Sequence, residues 1–224
     1  MDNILMNIKI AVNEKLYVKD PETSDLGKKI IQNSILLIDE IGFDNFTFKK
    51  LGERIGSNES SIYRYFENKH KLLVYLSSWY WGWIEYRLLL AIANIDNPNE
   101  KLKKAITIVT EKIQDDSATL HINEGVLNQI IISEFTKTIL TKEVDDENKE
   151  GFFKVYKSVI NRIIEIINQV NPQYKYAKSL ASSIVEGALH QHFLKDHLKT
   201  ITDCNDNNSP AQFYINLAEN TLKP

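Results

Sequence analysis

The sequence predicts an all-α protein in which a segment of three short helical elements precedes a longer array of helices. Gly (8) and Pro (5) together contribute 13 of the 224 residues. This is about half of the usual share, so turns are few and helices are long. Apolar residues recur at spacings of three and four along most of the chain, which is the period of a helix with one buried face. A sandwich or barrel of strands would instead need a turn signal about every 8–12 residues.

The composition is that of an ordinary globular protein, with 43% hydrophobic and 25% charged residues. The single cysteine, Cys204, excludes an internal disulfide framework and a zinc cluster built from cysteines. The first residues contain neither a basic segment nor a long apolar segment, and no apolar run approaches the ~20 residues of a membrane span. We therefore expect a cytoplasmic protein with no membrane partner.

The N-terminal elements can be placed from their boundary signals. Residues 4–18 alternate in part between apolar and polar side chains, which predicts a short extended arm or ribbon. The polar run 20–25 predicts a turn that leads into a helix over 26–41. Gly42 then ends this helix, as a glycine at a helix C-terminus does.

Two short helices and a series of longer ones follow. Thr47 caps a helix that runs to Ile55, and a second helix covers 59–66 after a tight break. Asn68 caps a long helix that runs to about residue 94. The remaining helices are predicted over 98–116, 123–141, 146–170, 172–199 and 210–221.

Residues 47–66 combine the features that a helix-turn-helix requires. Its two helices need apolar residues where they meet, a small residue where they approach closely, and a glycine that adopts a left-handed backbone conformation at the turn. Gly52 fits the close approach and Gly56 fits the turn. The inner faces of the two helices are supplied by Leu51, Ile55, Ile62 and Tyr65.

This segment resembles the tetracycline-repressor (TetR) family of bacterial transcription regulators. The similarity extends from Lys28 to about Leu73 and includes more than the helix-turn-helix pattern. The matching motifs are Ile41-Gly42-Phe43, Phe46-Thr47-Phe48, Ile62-Tyr63-Arg64-Tyr65-Phe66, Asn68-Lys69 and Leu72. Two residues depart from the family's pattern. Ser57 stands where an apolar residue is usual and is expected to loosen the turn; Glu59 stands where a basic or neutral residue is frequent and is expected to weaken a phosphate contact or alter base preference.

The resemblance implies an N-terminal arm over 1–24, a DNA-binding domain over 25–70, and a helical ligand-binding and dimerisation domain over 71–224. It implies a repressor that binds a palindromic operator of double-stranded DNA as a homodimer, that a small apolar ligand releases, and that needs no cofactor. The local charge agrees, since residues 26–75 carry 8 basic and 6 acidic side chains, whereas the whole chain has a net charge of −3.

The candidate DNA-binding residues lie in and beside the helix-turn-helix. Small polar residues at the start of its second helix suit base edges in the major groove. These candidates are Ser57, Asn58, Ser60 and Ser61, with Glu59 among them. The candidates for the DNA backbone are Tyr63, Arg64 and Lys69, together with Lys49 and Lys50, which a solvated face explains equally well. Thr47 suits a phosphate contact, although capping alone explains it and its DNA role rests on the resemblance.

A stripe of aromatic residues follows in the long helix that begins after Asn68. Trp79 and Trp83 lie one turn apart, and Tyr86 continues their face. Packing against other helices is the simpler explanation of this stripe. The resemblance implies instead the wall of an apolar ligand pocket, to which His121 and Phe135 are possible additions.

Two later segments carry apolar stripes that suit a dimer. The stripe over 152–170 is wider than the ~100° that one buried face requires, and the segment 173–199 adds small residues that permit close helix contact. We expect these helices of two chains to form a four-helix bundle. The alternative is a monomer whose own helices cover both faces. The predicted interface residues are Ile163, Ile167, Ala177, Ala181, Ile184 and Ala188.

Signals for other functions are weak. Glu186 and His190 lie one turn apart, but no third ligand stands at a standard spacing, so we predict no metal site. No glycine loop, nucleophile motif or carboxylate pair predicts an enzyme. The alternative to a DNA-binding regulator is a protein of this fold that binds a lipid or small molecule and has no operator. Glu59 and the small local charge favour that alternative.

Overall fold

The computed structural model describes residues 10–113 and 121–223, which form helices joined by turns and short irregular segments, with no strand among them. The helices, numbered here in chain order, are α1 Asp25–Asn45, α2 Phe48–Ile55, α3 Glu59–Tyr63, α4 Lys69–Ile92, α5 Pro98–Thr110, α6 Glu124–Glu134, α7 Thr136–Ile139, α8 Val144–Lys149, α9 Lys154–Val170, α10 Ala177–His197 and α11 Pro210–Thr221. The predicted all-α class is therefore confirmed. In the described part of the chain, no helix is long and apolar enough to cross a membrane.

The chain divides into two compact units. The first contains Met1–Gly82 and Ile113–Phe153, and the second contains Trp83–Lys112 and Lys154–Pro224. The division falls inside α4, after Gly82. This division reflects how the residues contact one another and does not report function. The boundary that we predict between the DNA-binding and ligand-binding domains, at residues 70 and 71, therefore stays a prediction.

In the first unit, α1 provides the central apolar face. Ser24 caps it by accepting a hydrogen bond from the Gly27 amide, and its inner residues Ile30, Ile31, Ile35 and Ile38 are at most 2% exposed. The backbone leaves the helical conformation at Gly42 (φ 74°, ψ 155°). The prediction that the first helix ends at this glycine is confirmed, although one further turn carries the helical assignment to Asn45.

Helix α6 packs against α1 in the same unit. The Phe43 amide, just beyond the break in α1, donates a hydrogen bond to Glu134 Oε1 at 3.1 Å. Lys137 Nζ bridges Glu134 and Asp44, with both distances at 2.8 Å. The predicted single helix over 123–141 is corrected to α6 and the short α7, which meet at Phe135.

The chain before α1 forms two 3-10 turns, Glu14–Leu16 and Pro21–Thr23. The predicted extended arm over 4–18 is therefore wrong for its second half, because the Asn13 side chain caps the first turn and Leu16 is buried. Residues 4–9 lie outside the described residues, as do residues 114–116 at the end of the predicted helix 98–116. That helix, α5, ends at Thr110.

The second unit is built from α5, α9, α10, α11 and the end of α4. Helices α9 and α10 pack on each other, and α5 contacts α9, α10 and α11. The predicted helix over 146–170 is corrected to two helices, α8 and α9, because the chain turns at Gly151 (φ 83°) between them.

The predicted dimer residues of α9 and α10 lie in the second unit. Ile163, Ile167, Ala181 and Ile184 are 0% exposed within a single chain. The other two, Ala177 and Ala188, are 7% and 1% exposed. All six are therefore buried within the single chain, and their part in a dimer stays a prediction. The α9 stripe is wide because the helix has two apolar faces. Tyr156, Ile160 and Ile164 form the second face, which stays half-buried.

Candidate nucleic-acid interface

Helices α2 and α3 form the predicted helix-turn-helix in the first unit. Thr47 caps α2, since its Oγ1 accepts a hydrogen bond from the Lys50 amide at 3.2 Å. Gly56 ends α2 in the left-handed conformation (φ 68°, ψ 34°). The Ser57 amide then donates to the Gly52 carbonyl at 2.9 Å. A Cβ atom on Gly52 would lie 2.8 Å from the Ser57 carbonyl oxygen, so only glycine fits this close approach.

The second helix, α3, is shorter than predicted. It covers Glu59–Tyr63 rather than 59–66, because the amides of Tyr65 and Phe66 both return to the Ile62 carbonyl and close a turn. Asn58 caps α3, with its Oδ1 2.8 Å from both the amide and the hydroxyl of Ser61. These contacts fix the start of α3.

The predicted DNA-binding residues differ in their exposure. Eight of them are exposed: Thr47, Lys49, Lys50, Asn58, Glu59, Ser60, Tyr63 and Arg64. Ser57 and Lys69 are half-buried, and Ser61 is buried. Ser61 is held by Asn58 and receives a hydrogen bond from Arg64 Nη2 at 3.3 Å. Its hydroxyl stabilises the start of α3, so contact with a base edge would require these bonds to break.

The two tyrosines of the motif have different environments. Tyr63 is 48% exposed and lies edge-on to Phe48 at 5.0 Å. Tyr65 is 3% exposed, which agrees with the core position predicted for it. Its hydroxyl is 2.8 Å from Ser24 Oγ, and this hydrogen bond lowers the pKa of the Tyr65 phenol.

Several basic side chains of this segment are occupied within the protein. Both terminal nitrogens of Arg54 donate to Glu40, at 2.6 and 2.8 Å. This hydrogen bonding lowers the pKa of the Glu40 carboxyl. Lys50 Nζ donates to the Asn45 carbonyl at 2.9 Å. The acceptors Glu40 and Asn45 both belong to α1. The sequence of the helix-turn-helix alone therefore does not predict these pairs.

Lys69, predicted to contact the DNA backbone, is engaged more completely. Its Nζ lies 3.0, 3.1 and 3.2 Å from the carbonyl oxygens of Phe43, Asp44 and Phe46. The ammonium also lies 4.8 Å from the centre of the Phe43 ring. A cation is favourable at a helix C-terminus. We therefore assign Lys69 to the end of α1 and no longer to a phosphate.

The candidate ligand residues fall in both units. In the first unit, Trp79 is 4% exposed, Phe135 lies edge-on to Trp81 at 5.4 Å, and His121 Nε2 is 2.9 Å from Glu22 Oε1. In the second unit, Trp83 is 5% exposed with the Arg87 guanidinium 4.8 Å from its ring centre, and Tyr86 is half-buried. Trp79, Trp83 and Phe135 are thus buried, His121 is paired with Glu22, and Tyr86 is half-buried.

The second unit also has a groove that the sequence did not predict. It has a volume of about 520 Å³ and lies between α5 and α11. Its lining includes the apolar residues Leu102, Ile106, Val170 and Ile215 and the charged residues Lys103 and Glu219. None of the predicted ligand residues lines it. The groove arises from packing between elements more than 100 residues apart, for which the local sequence contains no signal.

Comparisons with known proteins agree with this geometry. Residues 30–76 match the family model described as bacterial regulatory proteins, tetR family. The solved structure of the fatty acid degradation regulator FadR from Bacillus halodurans is 16% identical, with a TM-score of 0.59 over 89% of this chain and 95% of that chain. AibR in complex with isovaleryl coenzyme A and operator DNA is 18% identical, with a TM-score of 0.56 over 85% of this chain and 97% of that chain. No curated protein matches the chain by sequence.

A third solved structure, that of the superantigen PfiT, is 14% identical, with a TM-score of 0.56 over 91% of this chain and 96% of that chain. Similarity at such low identity shows the fold, and function must be argued from the site. The family model, in contrast, covers the helix-turn-helix itself. Residues 30–76 are therefore similar to the bacterial regulatory proteins of the tetR family, and the chain as a whole shares the fold of FadR, AibR and PfiT.

Proposed function

We propose that this protein is a transcriptional regulator that binds operator DNA through α2 and α3. The observation that carries the proposal is the α2–α3 turn, with a left-handed Gly56, a Gly52 that admits no side chain, and an exposed start of α3. In a helix-turn-helix, the second helix lies in the major groove and its N-terminal residues contact base edges. Glu59 and Ser60 hold that position here.

The proposal includes a two-fold dimer on a palindromic operator. Two recognition helices about 34–36 Å apart read successive major grooves on one side of the duplex. The half-buried face of α9, formed by Tyr156, Ile160 and Ile164, supports such a dimer. Ile160 and Ile164 are apolar, whereas the Tyr156 hydroxyl donates a hydrogen bond to Glu186. This face is distinct from the face that packs in the core of the unit.

We further propose that a small apolar ligand weakens operator binding and so releases repression. The support is the groove between α5 and α11 in the second unit, together with the similar fold of AibR, which was solved in complex with isovaleryl coenzyme A and operator DNA. A useful probe is isovaleryl coenzyme A, whose acyl group is small and apolar although the coenzyme itself is charged. Its binding is followed by quenching of tryptophan fluorescence. If the ligand weakens DNA binding by a given factor, DNA must weaken ligand binding by the same factor.

DNA binding is tested by fluorescence anisotropy of a labelled random duplex over a series of KCl concentrations. For a DNA-binding protein, the logarithm of the binding constant falls linearly with the logarithm of the salt concentration. Lys49 is exposed, and we expect Lys49→Ala to flatten this slope by about one unit for each chain bound. Lys178→Ala is the matched control, because it removes an exposed lysine from α10 in the second unit.

The same measurement distinguishes the alternative function. A protein of this fold that only binds a lipid or small molecule would show no salt-dependent DNA binding at any KCl concentration. The contacts of Arg54 and Lys69 favour this alternative. Both side chains donate hydrogen bonds to oxygens of the protein itself, so neither cation is available to a phosphate. Absence of binding in low salt would therefore contradict the proposed regulator.

A further inference from the structure

The hydrogen bonds of the helix-turn-helix leave few side chains free to read a base. Asn58 Oδ1 and the Ser61 hydroxyl bond each other, Thr47 Oγ1 caps α2, and Lys69 binds carbonyl oxygens. The exposed residues at the start of α3 without such a bond in the described structure are Glu59 and Ser60. Glu59 is the longer of the two and occupies the first position of the helix.

An acidic residue at a helix N-terminus is favourable in the free protein, but beside DNA it is unfavourable unless it meets a hydrogen-bond donor. The DNA backbone is a dense array of negative charges, and Glu59 has no ion pair with a cation in the described structure. An ionised carboxylate only accepts hydrogen bonds. In the major groove, the donors are the exocyclic amino groups of cytosine and adenine. The geometry therefore points to one of these two amino groups as the partner of Glu59.

Cytosine and adenine differ in the acceptors that they present beside the amino group. Guanine presents two acceptors and thymine presents one, so both repel a carboxylate. Adenine places its N7 acceptor beside its amino group, whereas cytosine presents the N4 amino group alone. We infer that Glu59 reads the N4 amino group of a cytosine in each operator half-site and rejects the other three bases. This inference rests on the proposed function and names a base that α3 selects.

Selection from a random palindromic library tests the inference directly. The natural protein should enrich cytosine at one position of each half-site. Glu59→Gln should move that position to adenine, because an amide pairs with both N6 and N7 of adenine. Glu59→Ala should lose the preference and bind random duplex more tightly, since a negative charge has been removed. We expect the discrimination against the wrong base to change by about tenfold.

Glu53→Gln is the matched control. Glu53 is also an exposed glutamate of the helix-turn-helix, but it lies on α2. The control should change the affinity for all sequences alike and leave base preference unaltered. The inference is overturned, with the proposed function intact, if Glu59→Gln and Glu59→Ala select the same operator as the natural protein. Failure of the natural protein to bind any duplex would overturn both.

Discussion

Gly52 and Gly56 hold the helix-turn-helix in different ways, and their substitutions should differ accordingly. A Cβ atom on Gly52 would lie 2.8 Å from the Ser57 carbonyl oxygen and 3.3 Å from the Glu59 amide nitrogen, so α2 and α3 would have to separate. At Gly56, a Cβ atom would meet open space, and only the left-handed backbone is costly, at about 1–2 kcal/mol.

We therefore expect Gly52→Ala to abolish DNA binding and to destabilise the fold more than Gly56→Ala does. Urea unfolding followed by circular dichroism, together with anisotropy on the same duplex, measures both effects. Gly56→Asn is the control, because asparagine tolerates the left-handed conformation better than alanine. Equal losses for the two alanine variants would contradict this assignment.

His192 makes the stability of the second unit depend on pH. It is 6% exposed, and its Nε2 donates a hydrogen bond to the Thr110 carbonyl at the end of α5, at 2.7 Å. Burial lowers the pKa of His192 from its usual value of 6.5, and the hydrogen bond opposes this only in part. The unfolded chain therefore binds a proton more readily than the folded chain. The stabilisation is complete above the unfolded pKa and is lost as the pH falls through the folded pKa.

We expect the urea midpoint of the natural protein to fall as the pH is lowered below about 6.5. His192→Gln should be less stable at neutral pH but should lose less stability on acidification. His190→Gln is the matched control, since His190 is exposed on the same helix. If both variants showed the same pH dependence as the natural protein, burial of His192 would have no part in it.

At the scale of elements, the segment 13–24 acts as a strap that joins distant parts of the first unit. The Val18 amide donates to the Tyr65 carbonyl at 2.8 Å, and Ser24 binds the Tyr65 hydroxyl. Asn13 donates to the Glu150 carbonyl at 2.9 Å. The strap therefore holds the turn after α3 and also contacts the chain after α8.

A double-mutant cycle with Ser24→Ala and Tyr65→Phe measures how firmly the strap holds this turn. Because the hydrogen bond is partly buried, we expect a coupling free energy of about 0.5–1.5 kcal/mol in urea unfolding. Tyr63→Phe replaces Tyr65→Phe in the control cycle, since the exposed Tyr63 does not contact Ser24 in the described structure. A coupling energy near zero would show that the strap and the turn are independent.

Local contacts of the helix-turn-helix could be predicted from the sequence, whereas the contacts of the strap and of the paired basic residues could not. Thr47 and Gly56 were predicted correctly because capping and turn chemistry depend on residues only a few positions apart. The roles of Arg54 and Lys69 were not, since Glu40 lies 14 residues away and the carbonyls that hold Lys69 lie 23–26 residues away. Pairs at such separations form only when the tertiary structure brings them together.

At the scale of the whole molecule, periodicity predicted the class and most of the helices but not the assignment of each apolar stripe. Val159, Ile163 and Ile167 are 0% exposed and face the core, whereas Ile160 and Ile164, on the same helix, stay half-buried. Spacing alone identifies two faces on such a helix. It cannot say which face the chain covers with its own helices, because that depends on how α5 and α10 pack against α9.

The two faces of α9 give opposite expectations for one kind of substitution. Ile163→Glu would place an unpaired charge in the core, so we expect it to destabilise the fold by at least ~3 kcal/mol and to lower the helical signal in circular dichroism. Ile160→Glu would place the same charge on the half-buried face. There we expect the chain to stay folded, with its melting transition close to that of the natural protein.

Sedimentation then tests the dimer. The natural protein should give a mass near twice 25.9 kDa at micromolar concentration, whereas folded Ile160→Glu should give a mass near 25.9 kDa. Loss of the dimer should also weaken binding to a palindromic duplex, because two linked recognition helices bind more tightly than one. Lys157→Glu, an exposed change of charge on the same helix, controls for charge alone. A natural protein that sediments as a monomer would exclude the dimer, and with it the two-fold reading of a palindromic operator.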